Sequence, residues 1–452
     1  MKIIVVGCGK IGTTIIASLV AEGHEVTAID CRNEALAEIS NIYDVIGITG
    51  NGGDCETLAE AEVDKAQLVV AVTGSDELNM LCCYIARQMG AAHTIARIRS
   101  PEYNDGSLAS MKQYLQLSSA INPEKLAAGE LYHILRLPSA VKIETFSHHK
   151  FEMIELILRP DSPLAGVPLS QLRSRFQAKF LVCVVQRGED VFIPGGQFVL
   201  QDGDKVGITA SPAEFQKLLK SIGGMRKQAR HVMILGGSRT AYYLAKRLLA
   251  AGATVKIIEQ DKELCEELCT LLPKATIIHG DGSQQELLLE EGLESTDAFV
   301  SLTGMDEQNI LLSFFAASHQ VPKVISKVNR DELGALAQRL GLECIVSPRK
   351  TIANILVRYA RALENSLGSN VENLYKLMDD GAEALEFNVK DDPRLVRIPL
   401  KTLQLKPQVL IAGILRGREP IIPSGEDVIL PGDRVVVIAA AGHFRDLADI
   451  IK

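Results

Sequence analysis

The sequence predicts an α/β protein with two Rossmann-like parallel-sheet domains, each followed by a small α+β domain. Short apolar segments alternate with amphipathic ones, and the whole pattern occurs twice along the 452 residues. A GxGxxG loop also joins the first apolar segment to the first amphipathic one. Because the predicted strands are apolar throughout, we expect parallel sheets covered on both faces.

Strands and helices alternate along the first predicted domain. Strands are expected at 3–6, 25–29, 45–48, 68–72 and 94–98. Helices are expected between them at 11–21, 34–41 and 77–89. The same alternation returns from about residue 232 to residue 328, which predicts a second domain of the same kind.

The small domain predicted after the first sheet has strands interrupted by proline and glycine. They are expected at 153–158, 180–186, 190–192, 198–199 and 205–210, with a closing helix at 212–220. Two long helical stretches, 123–135 and 348–363, begin with proline, which suits a first helical turn. Each is expected to carry the chain from one domain to the next or across to another subunit.

The chain is interpreted as a tandem duplication of this two-domain unit. A TG-x-DE-x-N segment is identical at 73–79 and 303–309. Weaker matches pair 51–54 with 279–282, 95–97 with 325–327, 164–169 with 395–400, 193–196 with 422–425 and 201–206 with 430–435. The domains are therefore predicted at 1–120, 139–222, 231–346 and 368–452, joined by crossover helices at 121–138 and 347–367 and by a linker at 223–230.

Composition limits the class of protein. Hydrophobic residues make up 47% of the chain and the net charge is −8, which disfavours a surface that binds nucleic acid. No apolar run approaches the roughly 20 residues that span a bilayer, and no signal peptide is recognised. The nine cysteines contain no CxxC pair and are expected to be small buried residues in a reducing cytosol.

The GxGxxG loop opens a predicted helix and comprises Gly7, Cys8, Gly9, Lys10, Ile11 and Gly12. In a Rossmann domain such a loop places a pyrophosphate at the helix N-terminus, where free N–H groups favour an anion. Asp30 ends the next strand at the expected spacing and is predicted to accept hydrogen bonds from the adenosine ribose. Because a carboxylate repels a 2′-phosphate, NAD(H) is preferred to NADP(H), although Arg32 nearby weakens that preference.

The corresponding loop of the second half departs from this pattern. It comprises Gly236, Gly237, Ser238, Arg239, Thr240 and Ala241. Ser238 adds a Cβ where a pyrophosphate must come close, whereas alanine at the last position is a tolerated variant. Glu259 retains the carboxylate after the next strand. This loop is predicted either to bind an adenine nucleotide, more weakly or with another preference, or to be purely structural.

Polar residues also follow the fourth and fifth strands, at the edge where Rossmann ligands lie. Thr73 and Gly74 are predicted to line the nucleotide site, and Arg97 either meets a phosphate or forms a surface ion pair. The counterparts in the second half are Thr303 and Lys327. The polar residues that open the following helix have a simpler interpretation, because acidic residues suit a first helical turn. They are Asp76, Glu77 and Asn79.

No acid/base group for hydride chemistry is recognised, although a dehydrogenase needs one beside the nicotinamide. Residues 151–220 contain no histidine, and no HExxH, GxSxG or Walker-A lysine loop occurs. A non-enzymatic nucleotide sensor is therefore predicted. The alternative is an NAD-dependent oxidoreductase with an unrecognised acid/base residue. A redox-sensing transcription factor is disfavoured, because neither a helix-turn-helix nor a basic face is recognised.

These motifs resemble the TrkA family of potassium-uptake regulators over essentially the full chain. The resemblance is carried by GCGKIG with Asp30, by GNGG at 50–53, by the repeated TG-x-DE-x-N and, most specifically, by ARIRSPEY at 96–103. In this family a nucleotide-binding domain (KTN or RCK-N) and a small ligand-binding domain (RCK-C) occur twice per chain.

The resemblance implies a cytoplasmic subunit, peripheral on the cytosolic face of the membrane, that binds NAD(H), with ATP or ADP as alternatives. It implies further nucleotide contacts at Asn51, Gly52, Gly280 and Asp281. It also implies a homotetrameric ring of RCK domains that docks on a Trk-type membrane potassium transporter subunit and alters its gating. Neither a catalytic residue nor a metal site is expected.

Overall fold

The computed structural model describes residues 1–103, 105–137, 139–146, 151–160, 162–222, 228–365, 371–378, 381–440, 444 and 446–452. Of the predicted linker at 223–230, residues 223–227 lie outside this part of the chain. So do position 138 and residues 366–370, where the two crossover helices are predicted to end. In the described part, no helix combines the length and the apolar character needed to cross a bilayer.

The first domain is a sheet of six parallel strands covered by helices. The strands are β1 (Lys2–Val6), β2 (Glu25–Asp30), β3 (Ile46–Thr49), β4 (Leu68–Ala71), β5 (Thr94–Arg97) and β6 (Ser119–Ile121). The helices are α1 (Lys10–Ala21), α2 (Asn33–Ser40), α3 (Cys55–Glu60), α4 (Asp76–Gln88) and α5 (Asp105–Tyr114). The strand order β3-β2-β1-β4-β5-β6 is that of a Rossmann domain, and it places the carboxyl ends of β1 and β4 side by side.

The predicted fold class is confirmed for this domain, and its five predicted strands are right to within one residue at each end. Alternate side chains of β1 enter different cores, with Ile3 and Val5 on the face of α1 and Ile4 and Val6 on the opposite face. Burial of each such side chain contributes about 1.5–3 kcal/mol. Double burial explains why the strand carries no polar residue between Ile3 and Val6.

A helix and a small antiparallel domain follow. The helices are α6 (Pro123–Arg136), α7 (Leu169–Phe176) and α8 (Pro212–Ser221). The strands are β7 (Lys142–Phe146), β8 (Phe151–Ile157), β9 (Phe180–Arg187), β10 (Asp190–Phe192) and β11 (Lys205–Ala210), in the order β10-β9-β11-β8-β7. The strand predicted at 198–199 is wrong, because Val199 forms only an isolated bridge with Pro168. Glycines at 195, 196 and 203 flank it and leave little room for a ladder.

The second half repeats the six-stranded sheet. Its strands are β12 (His231–Leu235), β13 (Thr254–Glu259), β14 (Thr276–His279), β15 (Ala298–Ser301), β16 (Lys323–Lys327) and β17 (Ile345–Val346). Its helices are α9 (Arg239–Ala250), α10 (Lys262–Leu271), α11 (Gln285–Glu290), α12 (Asp306–Ser318) and α13 (Asp331–Arg339). The strand order β14-β13-β12-β15-β16-β17 matches that of the first sheet.

The second crossover helix and the second small domain close the chain. The helix is α14 (Pro348–Asn365), and the strands are β18 (Val371–Leu377), β19 (Ala382–Asn388), β20 (Val409–Arg416), β21 (Glu419–Ile421) and β22 (Arg434–Ala439). The order β18-β19-β22-β20-β21 is the antiparallel order of the first small domain written in reverse. A short 3-10 turn, Leu447–Ile450, stands near the chain end where the first small domain has α8.

The two crossover helices exchange places between the halves. Leu131 and Ile134 of α6 are buried in the core of the second nucleotide domain, beside α9. Leu356 and Val357 of α14 are buried in the core of the first, beside α1. The sequence leaves open whether these helices join domains or subunits. In the structure each carries the chain across to the other half, so that neither half completes its core alone.

The two small domains pack against each other, and residues from both sheets share one buried cluster. Met153 and Val184 of the first half meet Ala384, Ala412 and Val436 of the second. The nucleotide domains also touch, because the Tyr243 hydroxyl donates to the Arg99 carbonyl at 3.2 Å, so the two halves form an internal pair.

Candidate nucleotide-binding sites

The first glycine loop lies between β1 and α1 and depends on two glycines for its shape. Gly7 has φ +100, and a Cβ built there lies 2.9 Å from the Thr73 backbone nitrogen. A Cβ on Gly12 lies 1.8 Å from the Gly7 carbonyl oxygen. Side chains at these positions are therefore excluded, the first by backbone conformation and both by contact with the main chain.

Gly9 plays a different part, because it precedes the open end of α1. Among the residues that the structure describes, none has an atom within 4 Å of a Cβ on Gly9, and none caps the helix with its side chain. Lys10 begins the helix at the surface, Ile11 is half-buried and Cys8 is buried. The space in front of the helix N-terminus is thus free for an anion, which is what a nucleotide pyrophosphate requires.

Asp30 ends β2 beside this loop. Its carboxylate accepts hydrogen bonds from the backbone N–H of Cys8 at 2.7 Å and of Arg32 at 2.9 Å. Burial disfavours the charged form, but these bonds, together with the Arg32 guanidinium, outweigh it and lower the pKa of Asp30. The carboxylate is therefore ionised at neutral pH, as an acceptor for ribose hydroxyls must be.

The TG-x-DE-x-N segment fastens the ends of β4 and β5 together. The Thr73 backbone N–H and hydroxyl both donate to Asn79 Oδ1 at 2.7 Å. The Asn79 amide donates to the Arg97 carbonyl at 2.9 Å, and the Arg97 guanidinium donates to the Thr73 carbonyl. Asn79 is completely buried. The Asn79 side chain therefore holds Thr73 in its position beside Gly7.

Arg97 is buried, so its interpretation as a surface ion pair is wrong. Burial lowers the pKa of its guanidinium. Its Nε has no hydrogen-bond partner within the described part of the chain. Because an unpaired buried donor is unfavourable, an anion near this group would stabilise it. Contact with a nucleotide phosphate stays a prediction.

Asp76 is likewise more than a residue of a first helical turn. It is 7% exposed, and its Oδ2 accepts hydrogen bonds from the backbone N–H groups of Arg99 and Ser100 at 2.8 Å each. Asp306 does the same for Asn329 and Arg330 in the second half. Sequence reasoning missed this bracing role, although the identical repeat of the segment was a signal for it.

Replacing Asn79 with alanine is expected to lower the free energy of unfolding of the first nucleotide domain by about 3 kcal/mol, because several buried partners lose their bonds at once. Urea unfolding followed by hydrogen exchange of β4 and β5 peptides measures this. Glu77→Ala is the matched control, since Glu77 is exposed, and is expected to change stability by less than about 1 kcal/mol. Equal effects of the two substitutions would contradict the bracing role.

The second glycine loop keeps the same backbone but closes the helix end. Gly236 has φ +92, and the Glu259 carboxylate accepts the Gly237 N–H at 2.6 Å, as Asp30 accepts that of Cys8. Ser238 differs from its counterpart Gly9, because its hydroxyl accepts the Ala241 N–H at 3.4 Å and caps α9. The anion position in front of this helix therefore already has a side-chain oxygen.

A second exchange compensates for the longer carboxylate. A Cβ on Gly237 would lie 2.7 Å from a Leu268 methyl and 3.1 Å from Glu259 Oε2. Glycine at the position corresponding to Cys8 therefore avoids crowding of the Glu259 carboxylate and of Leu268. Arg239 is exposed at the start of α9, and Thr240 is buried behind it.

The fourth and fifth strands of the second half repeat the same bracing. Asn309 Oδ1 accepts the Thr303 N–H at 2.9 Å, and the Asn309 amide donates to the Lys327 carbonyl at 2.9 Å. The Lys327 ammonium donates to the Leu302 carbonyl at 3.2 Å, and burial lowers its pKa. Lys327 thus stands where Arg97 stands in the first half.

The segment after the third strand corrects one predicted match. Gly50 donates to the Asp30 carbonyl and Gly280 to the Glu259 carbonyl, so these two glycines correspond. A Cβ on Gly52 would lie 2.2 Å from Val6, and one on Gly282 would lie 2.0 Å from Leu235. The predicted pairing of 51–54 with 279–282 is therefore displaced by two residues. The corresponding polar residues are Asn51 and Asp281, both exposed.

Family models match the chain twice over. The TrkA-N domain matches residues 3–123 and 232–348, and the TrkA-C domain matches residues 153–223 and 384–452. Curated relatives match from end to end. The Trk system potassium uptake protein TrkA homolog 1 of Methanosarcina mazei and the TrkA homolog of Archaeoglobus fulgidus are each 31% identical over 100% of both chains. TrkA of Vibrio alginolyticus is 29% identical over 97% of this chain and 95% of its own.

Solved structures share the fold. The GsuK channel bound to NAD matches with a TM-score of 0.64 and 17% identity, over 97% of this chain and 76% of that one. GsuK bound to ADP matches with a TM-score of 0.52 and 14% identity, over 81% and 69%. The two TrkA models together cover most of the chain, in the order N, C, N, C that the duplication predicts. The chain belongs to the TrkA family.

Proposed function

We propose that this protein is a cytoplasmic regulatory subunit that binds a nucleotide and gates a Trk-type membrane potassium transporter. The observation that carries the proposal is the tandem match to TrkA-N and TrkA-C along the whole chain, together with full-length relatives named for potassium uptake. The ligand acts by its differential affinity for two conformations of the subunit, since only such a difference shifts an equilibrium.

The first glycine loop is the principal nucleotide site in this proposal. The open helix end beyond Gly9 and the ionised Asp30 suit the pyrophosphate and ribose of NAD(H). Structural neighbours named as bound to NAD and to ADP support this class of ligand, with ATP or ADP as alternatives. The second loop, capped by Ser238, binds an adenine nucleotide more weakly or not at all.

A chain of charged contacts links the first loop to the distant small domain. Helix α1 begins at this loop, and Glu22 follows its last turn with a side chain that is only 7% exposed. Arg361 of α14 donates to Glu22 at 2.6 Å, and the Lys376 ammonium lies 3.5 Å from the same carboxylate. A ligand that shifts α1 would thereby act on α14 and on β18.

Assembly completes the proposal. We infer a homotetrameric ring of RCK domains docked on the cytosolic face of a membrane potassium transporter subunit. The internal pairing of the two halves supports it, because the Tyr243 hydroxyl of the second nucleotide domain donates to the Arg99 carbonyl of the first at 3.2 Å.

Growth on limiting potassium tests the function. A strain that lacks its own TrkA protein is expected to grow when it expresses this chain and to fail when it expresses Asp30→Ala, with both proteins present at equal levels. Copurification of the chain with the transporter subunit provides the second readout. No rescue by the unaltered chain, despite its copurification with the transporter, would refute gating.

Gly9→Ser is expected to have opposite effects on stability and on binding. The new hydroxyl would cap α1 as Ser238 caps α9, which adds roughly 0.3 kcal/mol to the stability of the first domain, since glycine is itself a tolerated cap residue. It would also occupy the pyrophosphate position and weaken NADH binding by about tenfold. Thermal unfolding and calorimetric titration measure the two effects. Loss of stability together with loss of affinity would indicate a distorted loop and contradict this account.

A further inference from the structure

A buried lysine and a buried cysteine meet at the edge of the second nucleotide domain, away from both glycine loops. Lys323 begins β16 and is 3% exposed, and Cys344 directly precedes β17 and is 1% exposed. The Lys323 ammonium nitrogen lies 2.8 Å from Cys344 Sγ and donates to the Ala140 carbonyl at 2.6 Å. Ala140 belongs to the first half, so the pair also sits at the junction of the halves.

The distance between Lys323 Nζ and Cys344 Sγ is short for a hydrogen bond to sulfur. At 2.8 Å it equals an ordinary N–H···O bond, although sulfur is a larger acceptor than oxygen. No carboxylate in the described part of the chain forms an ion pair with Lys323, so its nearest polar neighbours are the thiol and one carbonyl. The surroundings are apolar, with Ile325, Leu135 and Val346 in the same buried cluster.

The pair is a particular feature of the second half. At the position that corresponds to Lys323, His93 directly precedes β5, and its Nδ1 lies 3.5 Å from the Ser118 hydroxyl. The duplicated fold therefore does not require an amine beside a thiol. Burial also shields Cys344 from large reagents, whereas Cys31, Cys55 and Cys269 are exposed.

We propose that Lys323 and Cys344 form an oxidation-dependent covalent bridge in which one oxygen atom joins Nζ to Sγ. The co-reactant is hydrogen peroxide, which is small enough to reach a buried thiol. One peroxide converts the thiol to a sulfenic acid and water. A second peroxide converts the deprotonated amine to a hydroxylamine and water. Condensation of the hydroxylamine with the sulfenic acid then forms the O–S bond and releases a third water.

The overall reaction balances. An ammonium, a thiol and two peroxides give the N–O–S bridge, three waters and one proton. Sulfur and nitrogen each lose two electrons, and each peroxide gains two. The product links the start of β16 to the residue before β17, a strand of only two residues. It also alters the Lys323 nitrogen that donates a hydrogen bond to the Ala140 carbonyl.

Mass spectrometry of the full chain tests the bridge. After peroxide treatment and proteolysis without reductant, the peptides that contain Lys323 and Cys344 are expected to be joined, with a combined mass raised by about 14 Da, one oxygen gained and two hydrogens lost. Dithiothreitol is expected to separate them again. This readout uses the unaltered protein and needs no variant to fold.

Variants sharpen the assignment. Lys323→Arg keeps the positive charge and Cys344→Ser keeps a small polar group, and each is expected to abolish the joined peptides. Cys269→Ser, at an exposed cysteine, is the matched control and is expected to leave them unchanged. Oxidation of Cys344 to sulfenic or sulfinic acid with Lys323 unmodified would overturn the proposal. So would peroxide treatment that oxidises the exposed cysteines and leaves this pair untouched.

Discussion

Asp30→Ala is expected to weaken NADH binding by about tenfold or more, because a hydrogen bond to a charged group is worth about 1.5–3 kcal/mol. The substitution removes the predicted ribose acceptor, and it also removes the carboxylate that orders the loop by accepting the Cys8 N–H at 2.7 Å. Both losses act in the same direction. Isothermal titration calorimetry on the purified full-length protein measures the change in affinity.

Two further variants make this result specific. Asp30→Asn keeps an oxygen that accepts the Cys8 N–H but loses the charge, so it isolates the contribution of the carboxylate to ribose binding. Glu259→Ala makes the equivalent change at the second loop and is expected to leave the tighter binding event unchanged. If Glu259→Ala abolished the tighter binding event and Asp30→Ala did not, the second loop, and not the first, would be the principal nucleotide site.

The alternation of strands β1 to β5 with helices α1, α2 and α4 was predictable, because double burial makes the strands apolar and helix amphipathicity separates them, whereas α3 and α5 were not predicted. Strand β6 was not predictable, since three residues, Ser119–Ile121, carry too little apolar signal. The sequence also did not predict that the two crossover helices pack in the opposite halves. The apolar faces of α6 and α14 show that each helix is buried, but not which core buries it.

Only part of the site was predicted, and there is a physical reason why some of its residues were found and others were not. Positions that require glycine, because of a positive φ or a close main-chain contact, recur at a fixed spacing in the sequence. The loop at Gly7 was found by that spacing. Polar residues at a helix start have several uses, so the bracing by Asp76 and Asn79 required their hydrogen-bond partners to be seen. The capping by Ser238 is intermediate, because serine is a common cap but its effect on an anion depends on geometry.

Gly12→Ala is expected to destabilise the first nucleotide domain by about 3 kcal/mol or more, as overpacking against a fixed main chain does. The added Cβ would lie 1.8 Å from the Gly7 carbonyl oxygen, and backbone cannot yield as a flexible side chain does. Helix α1 must therefore move away from the sheet, and its contacts with α14 loosen with it. Hydrogen exchange of β1 and α1 peptides, compared with that of β12 and α9, measures the effect in one molecule.

The duplicate supplies the control for this substitution. Ala241 occupies the corresponding position and is completely buried, so the second loop already accommodates the Cβ that Gly12 lacks. Ala241→Gly is expected to cost only about 1 kcal/mol, from greater backbone freedom and a lost methyl. The loss of stability is therefore expected to be larger for Gly12→Ala than for Ala241→Gly, although the two positions are equivalent. The reason is that glycine is required only in the first loop. Equal penalties would mean that the close approach at Gly12 does not govern the stability of the loop.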